Sequence, residues 1–254
     1  METLRIIGVV ILLYSVISRT NGAMTDLLPY GTDFGDEQIS PGSSALAFNT
    51  SSDSECLPDL AITYQGMVEF TEYNEDCLGS KHVILVITAF ISELNPDVGM
   101  VFGRFVTDAV TLRGINCIIG QLYEEYDWIF LGTWVDVVDT ASNNTNGNTF
   151  QTVVVKSEDQ FYFLCIAGRL SFPLAILGFI SLSGDGIGTQ ISFAISQETG
   201  FNMTLFASNT NIGRPGVYLT KMDISERKIS LISPGKPAGI VCEKTEEDES
   251  SSDK

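Results

Sequence analysis

The chain has 254 residues, a formal net charge of −18 at pH 7, and 44% hydrophobic residues. This acidic balance argues against nucleic-acid binding, which requires basic patches, and against binding to anionic lipid surfaces. It leaves cations, basic proteins and mineral surfaces open as partners, or a role in solubility alone.

The N-terminus is typical of a secretory signal peptide. An apolar run from Ile6 to Ile17 follows Arg5. It is shorter than the roughly 20 residues of a membrane-spanning helix and matches the core of about 7–15 residues in a signal peptide. The small residues Thr20 and Gly22 suit cleavage after Gly22, with a cut after Ala23 as the alternative. We therefore assign residues 1–22 to a signal peptide; an uncleaved membrane anchor is the competing interpretation.

The pattern after the leader predicts a mainly β protein. Residues 25–50 are rich in Gly, Pro, Asp and Ser and predict an extended segment with turns. From Ala61 onward, short runs rich in Val, Ile, Phe, Tyr and Thr alternate with turn residues, which is typical of a sandwich-like domain, and we expect one short helix near Phe105–Arg113. The predicted strands are Ile62–Phe70, His82–Phe90, Gly99–Val106, Trp128–Val138, Thr149–Lys156, Gln160–Ala167, Ala175–Ile180, Gly188–Ile195, Met203–Ala207 and Gly216–Met222.

The C-terminal stretch differs from the rest. Pro234-Gly235-Lys236-Pro237 interrupts regular structure, and Glu243–Lys254 contains no apolar residue. Such a segment cannot bury enough surface to offset its ordering entropy. We predict one folded domain over residues 24–226, followed by a linker and a disordered acidic tail over 227–254. No apolar stretch in the mature chain is long enough to predict a membrane span.

Five cysteines follow the leader, and in an oxidising compartment they are candidates for disulfides. Choosing the leftover cysteine and pairing the other four leaves many patterns open. We favour Cys56 with Cys77 and Cys117 with Cys165. Cys242 would then be available to link two chains, unless it pairs within the chain or is a buried or capped thiol.

Three sequons agree with secretion. They are Asn49-Thr50-Ser51, Asn143-Asn144-Thr145 and Asn202-Met203-Thr204. The Asn143 site lies in a polar run that favours an exposed loop.

Motifs for catalysis are weak, and we predict that the protein is not an enzyme. The single histidine, His82, cannot supply a usual zinc site, and no Gly-x-Ser-x-Gly elbow is present. The run Gly184–Gly188 lacks the residues of a P-loop and favours a tight turn. Asp33 and Asp36-Glu37 could ligate calcium or flank a glycosidic bond, but a solvated loop is the simpler interpretation. We expect no cofactor, and calcium is unsupported.

Three stretches, in order, resemble the NIDO domain, the extracellular module of nidogen, alpha-tectorin and mucin-4-like proteins. They are Leu27–Gly31 through Gly35-Asp36 with Gly42-Ser43-Ser44; Thr133–Val137 with Asn148–Val154; and Ala175–Phe179 with Gly184-Asp185-Gly186, then Ser208–Gly216. The most specific pieces are Asn148-Thr149-Phe150-Gln151 and Asn211-Ile212-Gly213-Arg214-Pro215-Gly216.

The resemblance implies structural roles for its signature residues. Trp134 is a candidate core anchor, and alternation would bury Phe150 on one face while Gln151 pairs across the other. Pro215 between Gly213 and Gly216 favours a turn. Two stretches depart from the family: Ile62–Gly66 replaces an Asn-x-Asn-Gly, and Ala89–Leu94 lacks the acids of a Phe-Trp-x-Asp-x-Asp run. A calcium site carried by those acids is therefore doubtful here.

The resemblance implies a secreted binding or structural protein of the extracellular matrix with a role in cell–matrix adhesion. Matrix or cell-surface proteins would be its partners, and Cys242 could provide a disulfide-linked oligomer. A second hypothesis, different in class, is an acidic calcium- or mineral-associated matrix protein that acts through Glu246-Glu247-Asp248-Glu249 and the serines that follow.

Overall fold

A computed structural model describes the central part of the chain. The described residues are 27–40, 43–48, 59–71, 83–91, 93–119, 126–140, 147–157, 160–171, 176–183, 188–195, 210, 212, 214–223 and 228–231. They form a 3-10 turn at Thr32–Phe34 and a helix, α1, at Ala109–Ile119. The strands are β1 Glu37–Gln38, β2 Ala45–Phe48, β3 Asp59–Thr63, β4 Met67–Thr71, β5 Val83–Ile91, β6 Met100–Phe105, β7 Trp128–Val137, β8 Asn148–Ser157, β9 Gln160–Arg169, β10 Ile176–Ser183, β11 Gly188–Ile195, β12 Val217–Asp223 and β13 Lys228–Leu231.

The strands form two antiparallel sheets, so the predicted mainly β, sandwich-like class is confirmed. Sheet A has seven strands in the order β1-β6-β7-β8-β9-β12-β13. Sheet B has six strands in the order β11-β10-β5-β4-β3-β2. Most neighbours in the sheets are also neighbours in sequence, as expected for strands joined by short connections.

Sheet A is covered on both faces. One face packs on sheet B, where Ile62 and Phe70 belong to the same cluster as Phe130 and Trp134. The opposite face packs on α1, whose Ile115 meets a separate cluster of sheet A side chains. Strand β8 runs through the middle and is buried from Asn148 to Lys156. The molecule therefore has three layers, and helix α1 forms the third.

Aromatic rings fill the space between the sheets. Trp134 is fully buried, and its ring stacks on Phe150 with centroids 4.9 Å apart. The Trp134 Nε1–H donates to the carbonyl of Thr63 in sheet B at 2.9 Å. The predicted role of Trp134 as a core anchor is confirmed, because it joins the sheets by packing and by one hydrogen bond.

The first predicted strand was wrong. Instead of one strand over Ile62–Phe70, β3 and β4 form a hairpin with register pairs from Asp59↔Thr71 to Ile62↔Val68. Gly66 lies at the turn with φ +83°, a conformation that glycine adopts at little cost. Apolar residues on both sides of the turn concealed it.

Other element boundaries also shifted. The described residues contain one α-helix, as predicted, but it covers Ala109–Ile119 and not Phe105–Arg113. Residues 25–50, expected to be extended with turns, also contain the 3-10 turn, β1 and β2. The predicted end of the domain at residue 226 is too early, because β13 pairs with β12 through Lys228–Leu231. Predicted strand Met203–Ala207 lies outside the described residues.

We expect Trp134→Ala to lower the free energy of unfolding by about 3–5 kcal/mol, because it removes a large buried ring and the hydrogen bond to Thr63. Urea denaturation followed by far-ultraviolet circular dichroism measures this change. Val110→Ala is the control, since Val110 is 51% exposed and its truncation should cost little. Equal destabilisation by the two variants would contradict the anchoring role.

Candidate functional site

Gln151 fixes the N-terminal segment to sheet A. Its side-chain amide bonds both backbone groups of Leu28: the Leu28 N–H donates to Oε1, and Nε2 donates to the Leu28 carbonyl, each at 2.8 Å. Nε2 also donates to Thr133 Oγ1 on β7 at 3.1 Å. Phe150 faces the inter-sheet core, so the predicted division between Phe150 and Gln151 is confirmed. The Gln151 side chain thus gives Leu28 the two hydrogen bonds that a paired strand would give, and its role is structural.

Asn148 is the first residue of β8. It is 2% exposed, and its Nδ2 donates to the Val137 carbonyl at 3.0 Å. Its Oδ1 accepts the Ser171 N–H at 2.5 Å. The side chain therefore joins the end of β7 to the segment after β9, and it is not available to a ligand.

Pro215 and Gly216 form the predicted turn. The Val217 N–H donates to the Arg214 carbonyl at 3.0 Å, and Gly216 has φ +75°. Proline followed by a glycine with positive φ is the signature of a type II turn. This turn leads into β12 and has a structural role.

Several predicted site residues lie outside the described residues. These are Asn49, Asn143 and Asn202; Cys56, Cys77 and Cys242; Gly184, Asp185, Gly186 and Gly213; His82; and the acidic stretch Glu246–Glu249.

The predicted pairing of Cys117 with Cys165 is wrong. Cys117, on α1, is in a disulfide whose partner lies outside the described residues. Cys165 is a thiol on β9, buried in the inter-sheet core. The two cysteines occupy different faces of sheet A, since α1 covers the face away from sheet B, and this separation prevents the bond. Burial raises the pKa of the Cys165 thiol well above its usual value, so it stays protonated and unreactive.

Arg104 organises a buried polar cluster that the sequence reading missed. Its guanidinium bonds Asp36 at 2.5 Å, the Pro29 carbonyl at 3.0 Å and Thr111 Oγ1 at 2.8 Å. It also pairs with Asp108 at 3.2 Å. Five planar donors in one side chain can hold several acceptors at once. The cluster joins the N-terminal segment, β6 and the start of α1.

Asp36 is therefore not the solvated loop residue that the sequence suggested. It is 6% exposed, and besides Arg104 it accepts the Gly31 N–H at 2.5 Å. Asp33 and Glu37, by contrast, are exposed. Because the Asp36 carboxylate is occupied by Arg104, these three acids do not form one calcium site. Among the described residues, no group of three or more acidic, histidine or cysteine side chains could hold a metal ion.

A second polar corner surrounds Asp136, where the β7–β8 register shifts. Asp136 has φ +54° and an exposed side chain that pairs with Arg169. The Arg169 Nε–H donates to the Gly147 carbonyl at 2.8 Å. A Cβ on Gly147 would lie 2.6 Å from Asp136 Cα, so only glycine allows the two backbone segments to approach this closely. The Arg169 side chain therefore joins β9 to both sides of the β7–β8 connection.

Among the described residues, four large apolar side chains on segments next to β6 are 38–51% exposed: Phe34, Val98, Met100 and Val110. Phe34 precedes β1, the strand that pairs with β6. Val98 precedes β6 and Met100 is its first residue, whereas Val110 lies on α1 beyond the other end of β6. Exposed acids accompany them at Asp33, Glu37 and Asp97. We call these seven residues the β6 surface.

Phe34 contacts the buried Arg104 from this surface. Its ring lies 5.9 Å from the Arg104 guanidinium carbon, within the range of a cation–π contact. The glycines on either side, Gly31 and Gly35, have φ +100° and +81° and close a tight loop. Arg104 also contacts Asp108 and Thr111 at the start of α1, the helix that carries Val110.

Among the described residues, no helix is long and apolar enough to cross a bilayer.

We expect Gln151→Leu to destabilise the protein by about 1–3 kcal/mol, because it leaves the buried backbone groups of Leu28 without partners. The same change should release the N-terminal segment, which faster hydrogen exchange over residues 27–31 would detect. Thr152→Val, at the next buried position of β8, is the control. Unchanged exchange in Gln151→Leu would contradict the proposed attachment.

The contacts of Asp108 predict that the stability of the fold depends on pH. Burial alone would raise its pKa, but hydrogen bonds from Thr111 and the Arg104 charge outweigh burial and hold the pKa below its usual value of 3.8. The ionised group therefore stabilises the fold above that pH, and this contribution is lost as pH falls through the lowered pKa. Asn at position 108 retains an acceptor but does not titrate. The stability difference between the wild type and Asp108→Asn should shrink in acid, as measured by urea denaturation at several pH values; a constant difference would refute it.

No protein-family model, curated protein or solved structure matches this sequence. The resemblance to the NIDO domain therefore depends on the residues quoted for it.

Proposed function

We propose that this protein is secreted and acts as a binding or structural component of the extracellular matrix, with a role in cell–matrix adhesion. The observation that carries the proposal is the disulfide at Cys117. Disulfides persist in oxidising compartments and are rare in the cytosol. The signal peptide predicted over 1–22 and the sequons agree with this location.

The buried polar residues support a binding role over a catalytic one. Gln151, Asn148 and Arg104 each use their hydrogen-bonding groups to hold segments of the fold together. The exposed features of the β6 surface are instead apolar and acidic. An aromatic side chain has few rotatable bonds, so it loses little conformational entropy when a partner covers it.

The charge of this surface indicates the chemistry of its partner. Asp33 and Asp97 are the sequence neighbours of Phe34 and Val98, Glu37 lies on β1, and the whole chain carries a charge of −18. Complementary charges steer association and suppress unsuitable partners. We therefore propose matrix or cell-surface proteins that present basic and apolar side chains together.

The test is binding of the purified secreted protein to immobilised fibronectin, laminin and collagen and to cultured fibroblasts. We expect binding that weakens as salt is raised. Phe34→Ala combined with Val110→Ala should reduce it about tenfold, as expected for an anchor residue. Lys221→Gln on β12 is the matched control, because β12 is separated from β6 by β7, β8 and β9.

Binding no stronger than that of an unrelated glycoprotein of equal charge would refute the proposed function. Equal losses in the double variant and in Lys221→Gln would refute the β6 surface as its site.

A further inference from the structure

The N-terminal segment, residues 27–30, is held by side chains that bond its backbone. The Gln151 amide bonds both backbone groups of Leu28 at 2.8 Å. Arg104 donates to the Pro29 carbonyl at 3.0 Å. Residues 27–30 belong to neither sheet. Because every residue has a backbone carbonyl and all except proline have an N–H, these bonds do not depend on which chain supplies the segment.

Two glycines make room for the leucine side chains of the segment. A Cβ on Gly114 of α1 would lie 2.7 Å from Leu28 Cδ2, which is too close for two carbon atoms. A Cβ on Gly168 of β9 would lie 3.3 Å from Leu27 Cδ1. Leu28 is 5% exposed in the cluster between α1 and sheet A, and Leu27 packs against that cluster. We call this site, formed by Gly114, Gln151 and Gly168, the Leu28 groove.

Release of the segment would leave the rest of the fold in place. β1 begins at Glu37, and Asp36 before it is anchored independently by its ion pair with Arg104. Gly31, directly after the segment, has φ +100°, and among the described residues only its chain neighbours come within 4 Å of where its Cβ would lie. Segments with few backbone bonds to the core open locally at a lower free energy than the core itself. Residues 27–30 can therefore leave the groove while both sheets stay paired.

We propose that the Leu28 groove is a peptide-binding site, and that its ligand from outside the molecule is the N-terminal segment of a second copy of this chain. The ligand class is an extended peptide with two leucines, a proline and an aromatic residue, since the Tyr30 ring lies 6.3 Å from the Phe102 ring. Residues 27–30 already occupy the groove, and a second copy carries the same sequence.

Exchange of the segment between copies forms in the pair the same contacts that it breaks in the single chain, which makes such exchange a low-cost route to association. The chain's own segment competes with the incoming one, because a tethered ligand has a high effective concentration. Exchange is therefore favoured where copies are concentrated, as in an assembled matrix.

The first test measures binding of a dye-labelled peptide, Leu-Leu-Pro-Tyr-Gly with blocked ends, to the purified protein by fluorescence polarisation. In Leu28→Asp the charge keeps the chain's own segment out of the apolar groove, so the groove is open to the peptide. We expect the peptide to bind this variant and to bind wild type about tenfold or more weakly, because occupied sites lower the apparent affinity. A peptide with Asp at its second position is the matched control and should bind neither protein.

The second test asks whether another copy provides the ligand. Leu28→Asp has an open groove but no segment that fits it, whereas Gly114→Leu has the segment but a filled groove. Neither variant can associate with itself through this site, but the segment of Gly114→Leu can enter the groove of Leu28→Asp. We expect sedimentation equilibrium to give the mass of one chain for each variant and twice that mass for a concentrated equimolar mixture. Adding Gln151→Leu to Leu28→Asp should abolish the association.

Folded Leu28→Asp that does not bind the peptide would overturn the proposal, as would equal binding by wild type and Leu28→Asp. A mixture that keeps the mass of one chain would overturn the second copy as the ligand. These outcomes are independent of the assays on the β6 surface, which measure binding to matrix proteins and cells.

Wild type provides the same tests if Leu28→Asp does not fold. We expect excess unlabelled peptide to displace the chain's own segment and to accelerate hydrogen exchange over residues 27–31; unchanged exchange would overturn the proposal. Wild type then replaces Leu28→Asp in the concentrated mixture with Gly114→Leu, and the mass of one chain would again overturn the second copy as the ligand.

Discussion

Sheet A lies between sheet B on one face and α1 with the N-terminal segment on the other, so water reaches neither face of its central strands. A polar group that is buried there without a partner costs about 1–3 kcal/mol. Gln151 and Asn148 on β8 avoid this cost by bonding backbone groups of other segments. These polar residues therefore determine which segments lie against the sheet.

Arg104 solves the same problem for a charge. A buried ion pair gains stability only when further hydrogen bonds offset the loss of hydration. Asp36, Pro29 and Thr111 provide them, and the cost of burying the guanidinium is spread over three segments. The Arg104 guanidinium carbon also lies 5.9 Å from the centre of the Phe34 ring. The same guanidinium that pairs with Asp36 therefore contacts an exposed ring of the β6 surface.

Local patterns were sufficient to predict the class of the fold and most of its strands. Alternation identified the opposite faces of Phe150 and Gln151, and proline followed by glycine identified the turn before β12. The turn at Gly66 was missed because apolar residues continue through it, and the partner of Gln151 could not be predicted because it lies far away in sequence. The ion pair of Asp36 with Arg104 was missed for the same reason. The pairing of Cys117 with Cys165 was predicted wrongly because the sequence does not show which face of sheet A each cysteine occupies.

The contact between Leu28 and Gln151 joins residues separated by 123 positions. Contacts of such long sequence separation form late, because the chain loses the entropy of closing the loop before the contact stabilises it. The N-terminal segment leaves the ribosome first, but its docking site exists only after β7 and β8 have paired. The order of synthesis and the order of folding are therefore reversed at this end of the chain. During that interval the hydrophobic groove that receives Leu28 stays open, and aggregation or chaperone binding would compete there with native docking.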